Sequence, residues 1–407
     1  MDKLRKLYIT DYCLTPHENI PRSGILCKGD KITAVGGASA FSREDDMEVV
    51  ELPGTYAVPG FIDTHINGAG GFDASTSYER GADMGSMCEV LASHGVTSFV
   101  PTIVSAPFDK MLLAVSSTVK MLDGGYNGAL PVGIHLEGPF INKEKHGSQR
   151  EEDILARVDI GMLREIIAEG RGKIKLFTFA PELPGAMKLI EILLENGIKP
   201  SMGHSLASED EVLRAVEAGV CRCTHLYNGM PALHHRDIAL TAVALTDDRI
   251  SIELILDGEH LHPRMVDLAC RAKPKDKLIG VSDAVQGLGL DDGKYHLGVS
   301  KIRVKDGVVT TEDGVLAGTT LTLEKGWQHL VTYSHLKDTD AAACFTINPA
   351  RDIGLEDTGE LRPGKFADIS FFDSLTNKTR LTVSRGRIVY DSEGKYLKEV
   401  EHLPNFP

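Results

Sequence analysis

No stretch of this 407-residue chain is an apolar run of the roughly 18 residues that a membrane-crossing helix requires, so no membrane partner is expected. Lys/Arg-rich blocks are absent too. With 44 Lys+Arg against 58 Asp+Glu the formal net charge is −14, the opposite of what a phosphate-neutralising nucleic-acid binder needs. An anionic substrate would have to be held by a few local cations against this field. Low-complexity segments are missing, and 42% hydrophobic with 25% charged residues is enough for a sizeable core. The seven cysteines are odd in number and form no pair of CxxC motifs, which argues against a zinc cluster or disulfide framework. Buried free thiols in a reducing compartment are expected. The opening Met1-Asp2-Lys3-Leu4-Arg5 lacks the apolar stretch of a signal peptide, so the expected location is cytoplasmic.

What is present has a clear order. Residues 1–53 read as short alternating strands with Gly29-Asp30 as a turn, and residues 361–407 read similarly, with Arg385-Gly386 as a turn. The two ends are predicted to build one small β-sandwich domain. Between them, residues 54–360 carry eight strand-like apolar runs, at 56–62, 96–104, 130–136, 174–179, 198–202, 220–224, 250–256 and 278–281. Helical patterns separate them. Ser208-Glu209-Asp210-Glu211 has the form of a capping box, with Gly219 as the stop. Near-continuous apolar strands alternating with helices predict a parallel sheet closed as a (β/α)₈ TIM-type barrel of the α/β class, with a doubly wound sheet as the alternative.

Active sites of such barrels gather at the C-terminal ends of the strands. There the third run leads to Glu137, the fifth to His204 and the sixth to His225. A His₂Glu set suits a catalytic divalent metal with a position open for water. A lone histidine at a strand end is more often polar lining, but three ligand-type residues at three strand ends are hard to explain that way. Asp283, after the eighth run, is the candidate acid/base beside that water. His65-x-Asn67 ends the first run. Asn is a poor partner for a metal beside imidazole, so one firmly bound ion is expected, with His65 as the candidate for a weak second site. No lysine stands out as a carboxylated bridge between two metals.

The motifs Pro59-Gly60-Phe61-Ile62-Asp63-Thr64-His65, His135-Leu136-Glu137-Gly138-Pro139-Phe140, Gly203-His204-Ser205, Thr224-His225-Leu226-Tyr227-Asn228-Gly229-Met230, Asp257-Gly258-x-His260 and Ser282-Asp283-Ala284 follow one another along the chain. Together they resemble the N-acetylglucosamine-6-phosphate deacetylase family of the amidohydrolase superfamily. The resemblance implies hydrolysis of the N-acetyl amide to glucosamine 6-phosphate and acetate. It implies one divalent ion per subunit on Glu137, His204 and His225, zinc first and iron or another ion as alternatives. Asp283 would be the acid/base. Ser148, Gln149, His260 and Leu316-Ala317-Gly318 would line the substrate site, and Asn228 and Gly229 would lie against the sugar phosphate. Arg236 would reach the phosphate in a neighbouring subunit, which implies a homodimer. Gln149 departs from the pattern, because some members carry a histidine twelve residues after the metal glutamate. Gln still donates through its NH₂ but offers no protonatable group. Amidohydrolases of cyclic ureides or dipeptides are the nearest rivals. A non-catalytic barrel is the rival from another class, and it would be expected to lose one of Glu137, His204, His225 and Asp283, all of which are present.

Overall fold

The computed structural model describes residues 5–15 and 18–397. Its centre is a sheet whose eight main strands are Phe61–Ile66, Val96–Val104, Ile134–Glu137, Ile174–Phe179, Lys199–Met202, Arg222–Cys223, Ser251–Ile255 and Leu278–Val281. They lie side by side in chain order, and every pairing between them is parallel. A doubly wound sheet would reverse that order partway, so the barrel is the fold. Eight helices, from Met84–Ser93 to Leu323–Tyr333, follow the strands in turn. The expected capping box is present: the Ser208 N–H donates to Glu211 Oε2 (2.9 Å) ahead of the helix Glu209–Glu217. No described helix is long and apolar enough to cross a membrane.

The seam between the first and eighth strands is closed by an inserted segment. The Ile62 N–H donates to the Phe345 carbonyl (2.8 Å) and the Gly280 N–H to the Cys344 carbonyl (2.9 Å). The Phe345 ring is fully buried. It occupies the space a side chain at position 280 would need, since a Cβ there would come within 2.1 Å of it. Phe345→Ala should therefore lower stability by about 3–5 kcal/mol, the usual result of emptying an aromatic site in a core. Denaturant unfolding of the purified variant checks this, and an unshifted midpoint would show that the seam does not depend on the ring.

Both ends of the chain meet in one seven-stranded sheet. From the N-terminal part come Arg5–Leu14, Asn19–Lys28, Lys31–Gly37 and Met47–Pro59; from the C-terminal part come Ile369–Asp373, Thr379–Ser384 and Arg387–Asp391. The sheet curls until Lys31 bridges to Phe366. It closes sandwich-like around Tyr8, Ile25, Val50, Phe371 and Leu381. The run at 56–62 does not form the first barrel strand as expected. Tyr56 to Pro59 pair with Ile369–Asp373 in the terminal sheet, and the barrel strand begins at Phe61. Both segments are apolar, so composition did not reveal that the chain changes sheets at Gly60. A three-stranded antiparallel sheet, Gly293–Leu297, Ser300–Lys305 and Val308–Thr311, follows the eighth strand and was not anticipated. All seven cysteines are free, and all but Cys221 are buried.

Candidate active site

Polar side chains collect at the C-terminal mouth of the barrel because each strand stops there and hands over to a loop. Glu137 is the last residue of the third strand. His204 and His225 stand two residues beyond the fifth and sixth strands, and Asp283 two beyond the eighth. All four are buried. His204, His225 and Asp283 have φ of +46°, +27° and +48°. Such left-handed backbone costs a non-glycine residue on the order of 1–3 kcal/mol, and it persists where surrounding contacts hold a site in shape.

The ligand atoms of Glu137, His204 and His225 all lie within 4.8 Å of one another. Glu137 Oε1 is 3.2 Å from His204 Nε2 and 2.9 Å from His225 Nε2, and the two Nε2 atoms are 3.0 Å apart. The His204 Nδ1–H donates to the Lys145 carbonyl (2.6 Å), which leaves Nε2 as the nitrogen with a free lone pair. Lone-pair nitrogens that face each other across so short a gap repel unless a proton or a cation lies between them. One carboxylate oxygen and two imidazole nitrogens are the donor set a divalent cation takes, so the residues present fit a metal. Gly229 belongs to the same packing: it has φ +62°, and a Cβ on it would sit 2.9 Å from His204 Nδ1. A side chain there would push the imidazole out of place.

Burial alone would raise the Glu137 carboxyl. The charge of His65, with the contacts of the Glu137 oxygen to the His204 and His225 rings, outweighs it and holds Glu137 well below the ordinary range. Asp283 goes the other way. Burial pushes its carboxyl up, and the charge of His65 offsets this only in part. Asp283 Oδ1 accepts from Asn67 Nδ2 at 2.7 Å, and Oδ2 has no hydrogen-bond partner among the described residues. A carboxylate of raised affinity for a proton, with one oxygen unoccupied, is suited to take and return one.

These groups open into a cavity of about 210 Å³, walled by Ser148, Gln149, Asn228, Gly229, His260, Leu316 and Gly318 together with the metal set and Asp283. Gln149 is held at both ends. Its Oε1 accepts the Ser105 N–H (3.0 Å), and its Nε2 lies 3.4 Å from Glu137 Oε2. His260 Nδ1 donates to Asp257 Oδ2 at 2.6 Å. Ala317 and Arg236 are not among the residues that wall this cavity. Ala317 is fully buried behind the wall, among Val285, Ile302 and Val309. Arg236 lies on an exposed loop outside the cavity, with Nη1 2.8 Å from His235 Nε2. Leu297, from the unforeseen three-stranded sheet, supplies an apolar wall. Larger hollows of about 420 and 450 Å³ lie against the terminal sheet and beside Arg351 and Arg362, away from the clustered ligand atoms.

His65 has a partner the sequence reading missed, and its second ring nitrogen still faces the site. Its Nδ1 is 3.0 Å from Glu253 Oε2, while Nε2 faces Asp283 Oδ1 (3.4 Å) and Glu137 Oε1 (3.6 Å). Burial pulls His65 down, and the three carboxylates facing it more than offset that, leaving it well above its ordinary value. Its neighbour His135 is held by Thr102 and Thr178 inside the barrel. Burial, then the charge of His65, lowers it to about 3. Glu253 sits mid-strand rather than at a strand end. Its signal was a charge inside the apolar run 250–256, and Arg222 inside 220–224 is its counterpart.

The Amidohydrolase family model matches residues 56–396. N-acetylglucosamine-6-phosphate deacetylase of Bacillus subtilis is 32% identical over 393 residues, covering 95% of this chain and 98% of that protein. N-acetylgalactosamine-6-phosphate deacetylase of Escherichia coli is 32% identical over 333 residues, covering 81% and 86%. Among solved structures, a mutant N-acetyl-D-glucosamine-6-phosphate deacetylase of Mycobacterium smegmatis in complex with N-acetyl-D-glucosamine-6-phosphate superposes with a TM-score of 0.88 at 29% identity, covering 95% of this chain and 99% of that one.

Proposed function

This chain belongs to the amidohydrolase family, and from that premise we propose that it removes the acetyl group from N-acetylglucosamine 6-phosphate, giving acetate and glucosamine 6-phosphate. The observation that carries this reading is the meeting of Glu137 Oε1 with His204 Nε2 and His225 Nε2, beside a pocket in which Asp283 keeps an oxygen unengaged. The relatives named above support the class of substrate.

Glu137, His204 and His225 would hold one divalent ion, zinc first among the candidates, with iron or another ion as alternatives. Bound there, such an ion supplies Lewis acidity that lowers the pKa of water from about 15.7 toward about 7. The protein's own groups do the rest. Asp283 takes the proton of the attacking water on Oδ2, while Asn67 keeps Oδ1 fixed. Once the water oxygen has bonded to the acetyl carbon, Asp283 gives that proton to the sugar nitrogen as the C–N bond breaks. One Nε2 proton of Gln149 is directed at Glu137, and the other is free to donate to the acetyl carbonyl. His260, oriented by Asp257, faces the sugar. Ser148, Asn228, Gly229, Leu316 and Gly318 shape the pocket, and Ala317 supports it from behind.

Arg236 does not reach the pocket of its own chain. That exposed position supports a homodimer in which each Arg236 binds the phosphate in its partner's site, where a planar guanidinium can hold two oxygens. Free buried thiols support a reducing, cytoplasmic setting. Acetate release from N-acetylglucosamine 6-phosphate, measured together with bound metal, tests the activity; no acetate from metal-loaded protein would end it. Running the N-acetylgalactosamine 6-phosphate reaction in parallel decides which sugar is preferred. Arg236→Ala should raise KM for the phosphorylated sugar far more than for N-acetylglucosamine itself, and equal changes in both would remove the phosphate role.

A further inference from the structure

Arg222 heads the fully buried side chains by size, and its guanidinium lies inside the barrel. Its Nε donates to Glu253 Oε1 at 3.1 Å, and Nη2 donates to the same oxygen and to Thr64 Oγ1 (2.8 Å). Its Nη1 pairs with Asp352, which Lys199 also meets at 2.9 Å. Glu253 Oε1 is thus fully engaged by the arginine. The other oxygen, Oε2, faces the mouth of the barrel, accepting the Nδ1–H of His65 (3.0 Å) and the backbone N–H of His225 (3.0 Å). The Glu253 carbonyl also accepts the Leu226 N–H at 2.9 Å.

Barrel interiors are ordinarily filled with branched apolar side chains. A buried ion pair adds little stability over an apolar pair of equal volume. Stability therefore does not account for Arg222 and Glu253. Their geometry does: one carboxylate holds a site imidazole through its ring and another through its backbone, yet it does not line the substrate cavity. His225 has φ +27°, and the bond from its N–H to Glu253 braces that turn.

We infer that Glu253, held in place by Arg222, is a positioning residue of the centre, fixing His65 with Nε2 toward Asp283 and bracing the turn that aims His225 Nε2 at Glu137. The inference rests on the proposed reading of Glu137, His204 and His225 as a metal site. Outer partners of metal-binding groups typically change metal affinity or activity by about 10–100-fold.

Glu253→Gln preserves volume and removes the charge. Chelator competition should show zinc bound about 10–100-fold more weakly. kcat should fall while KM stays near its wild-type value, because Glu253 does not touch the pocket. Arg222→Met combined with Glu253→Gln removes both buried charges and leaves Asp352 paired with Lys199, and it serves if the single variant does not fold. In zinc-loaded wild type, ¹⁵N–¹H spectra should show a slowly exchanging His65 Nδ1–H that is altered or lost in the variants. A purely structural role would lower the unfolding midpoint without changing zinc affinity or separating kcat from KM. Wild-type zinc affinity and kcat in either folded variant would overturn the inference, as would the absence of a protected Nδ1–H in wild type. Wild-type protein that binds no divalent cation would instead overturn the metal site itself.

Discussion

Asp283→Asn is expected to keep its metal and lose about 10²–10⁴-fold in kcat, the range typical of a general acid–base group. The substitution is nearly isosteric. Its amide oxygen can still accept from Asn67 Nδ2, so the side chain should keep its position beside the 210 Å³ cavity. What disappears is the capacity to carry a proton from the attacking water to the departing nitrogen. Burial already raises the proton affinity of this carboxyl, and the charge of His65 only partly offsets that. An amide has no such affinity at any working pH. The measurement is kcat for acetate release alongside metal content. A variant with full metal and a rate within about tenfold of wild type would remove Asp283 from the proton path, since that lies below the effect expected of such a group.

Metal removal should have the other large effect. Stripping the protein with a chelator is expected to abolish turnover, and adding back a divalent cation should restore it. His204 and His225 present Nε2 atoms 3.0 Å apart toward one oxygen of Glu137, an arrangement that is poorly satisfied without a cation. Metal should also stabilise the fold, by about 2.7 kcal/mol at a free concentration 100 times the dissociation constant. Thermal unfolding with and without added ion reads this independently of catalysis. Glu137→Ala should reproduce the stripped state and resist rescue, because neutral imidazoles alone give a divalent ion no charge compensation. Metal-free protein that turns over at the wild-type rate would refute the reading of the site.

The unaided sequence determined a good deal. Eight apolar runs with helical stretches between them specify a parallel sheet covered by helices, since hydrophobic period and turn chemistry are local properties. Glu137, His204, His225 and Asp283 were legible because each directly ends or follows such a run, and a barrel leaves only that end of the strand for chemistry. Glu253 and Arg222 were visible as charges within apolar runs, but their use was not. His65 finds Glu253 across 188 positions of chain, and Arg222 meets both Glu253 and Asp352. The pairing of a buried charge depends on which strands become neighbours, and no local pattern encodes that. For the same reason tertiary structure alone decided that Tyr56 joins the terminal sheet, that Leu297 walls the cavity, that Gln149 is clamped between Ser105 and Glu137, and that Arg236 stands outside its own pocket. Propensity fixes what a segment becomes, whereas only packing fixes what it touches.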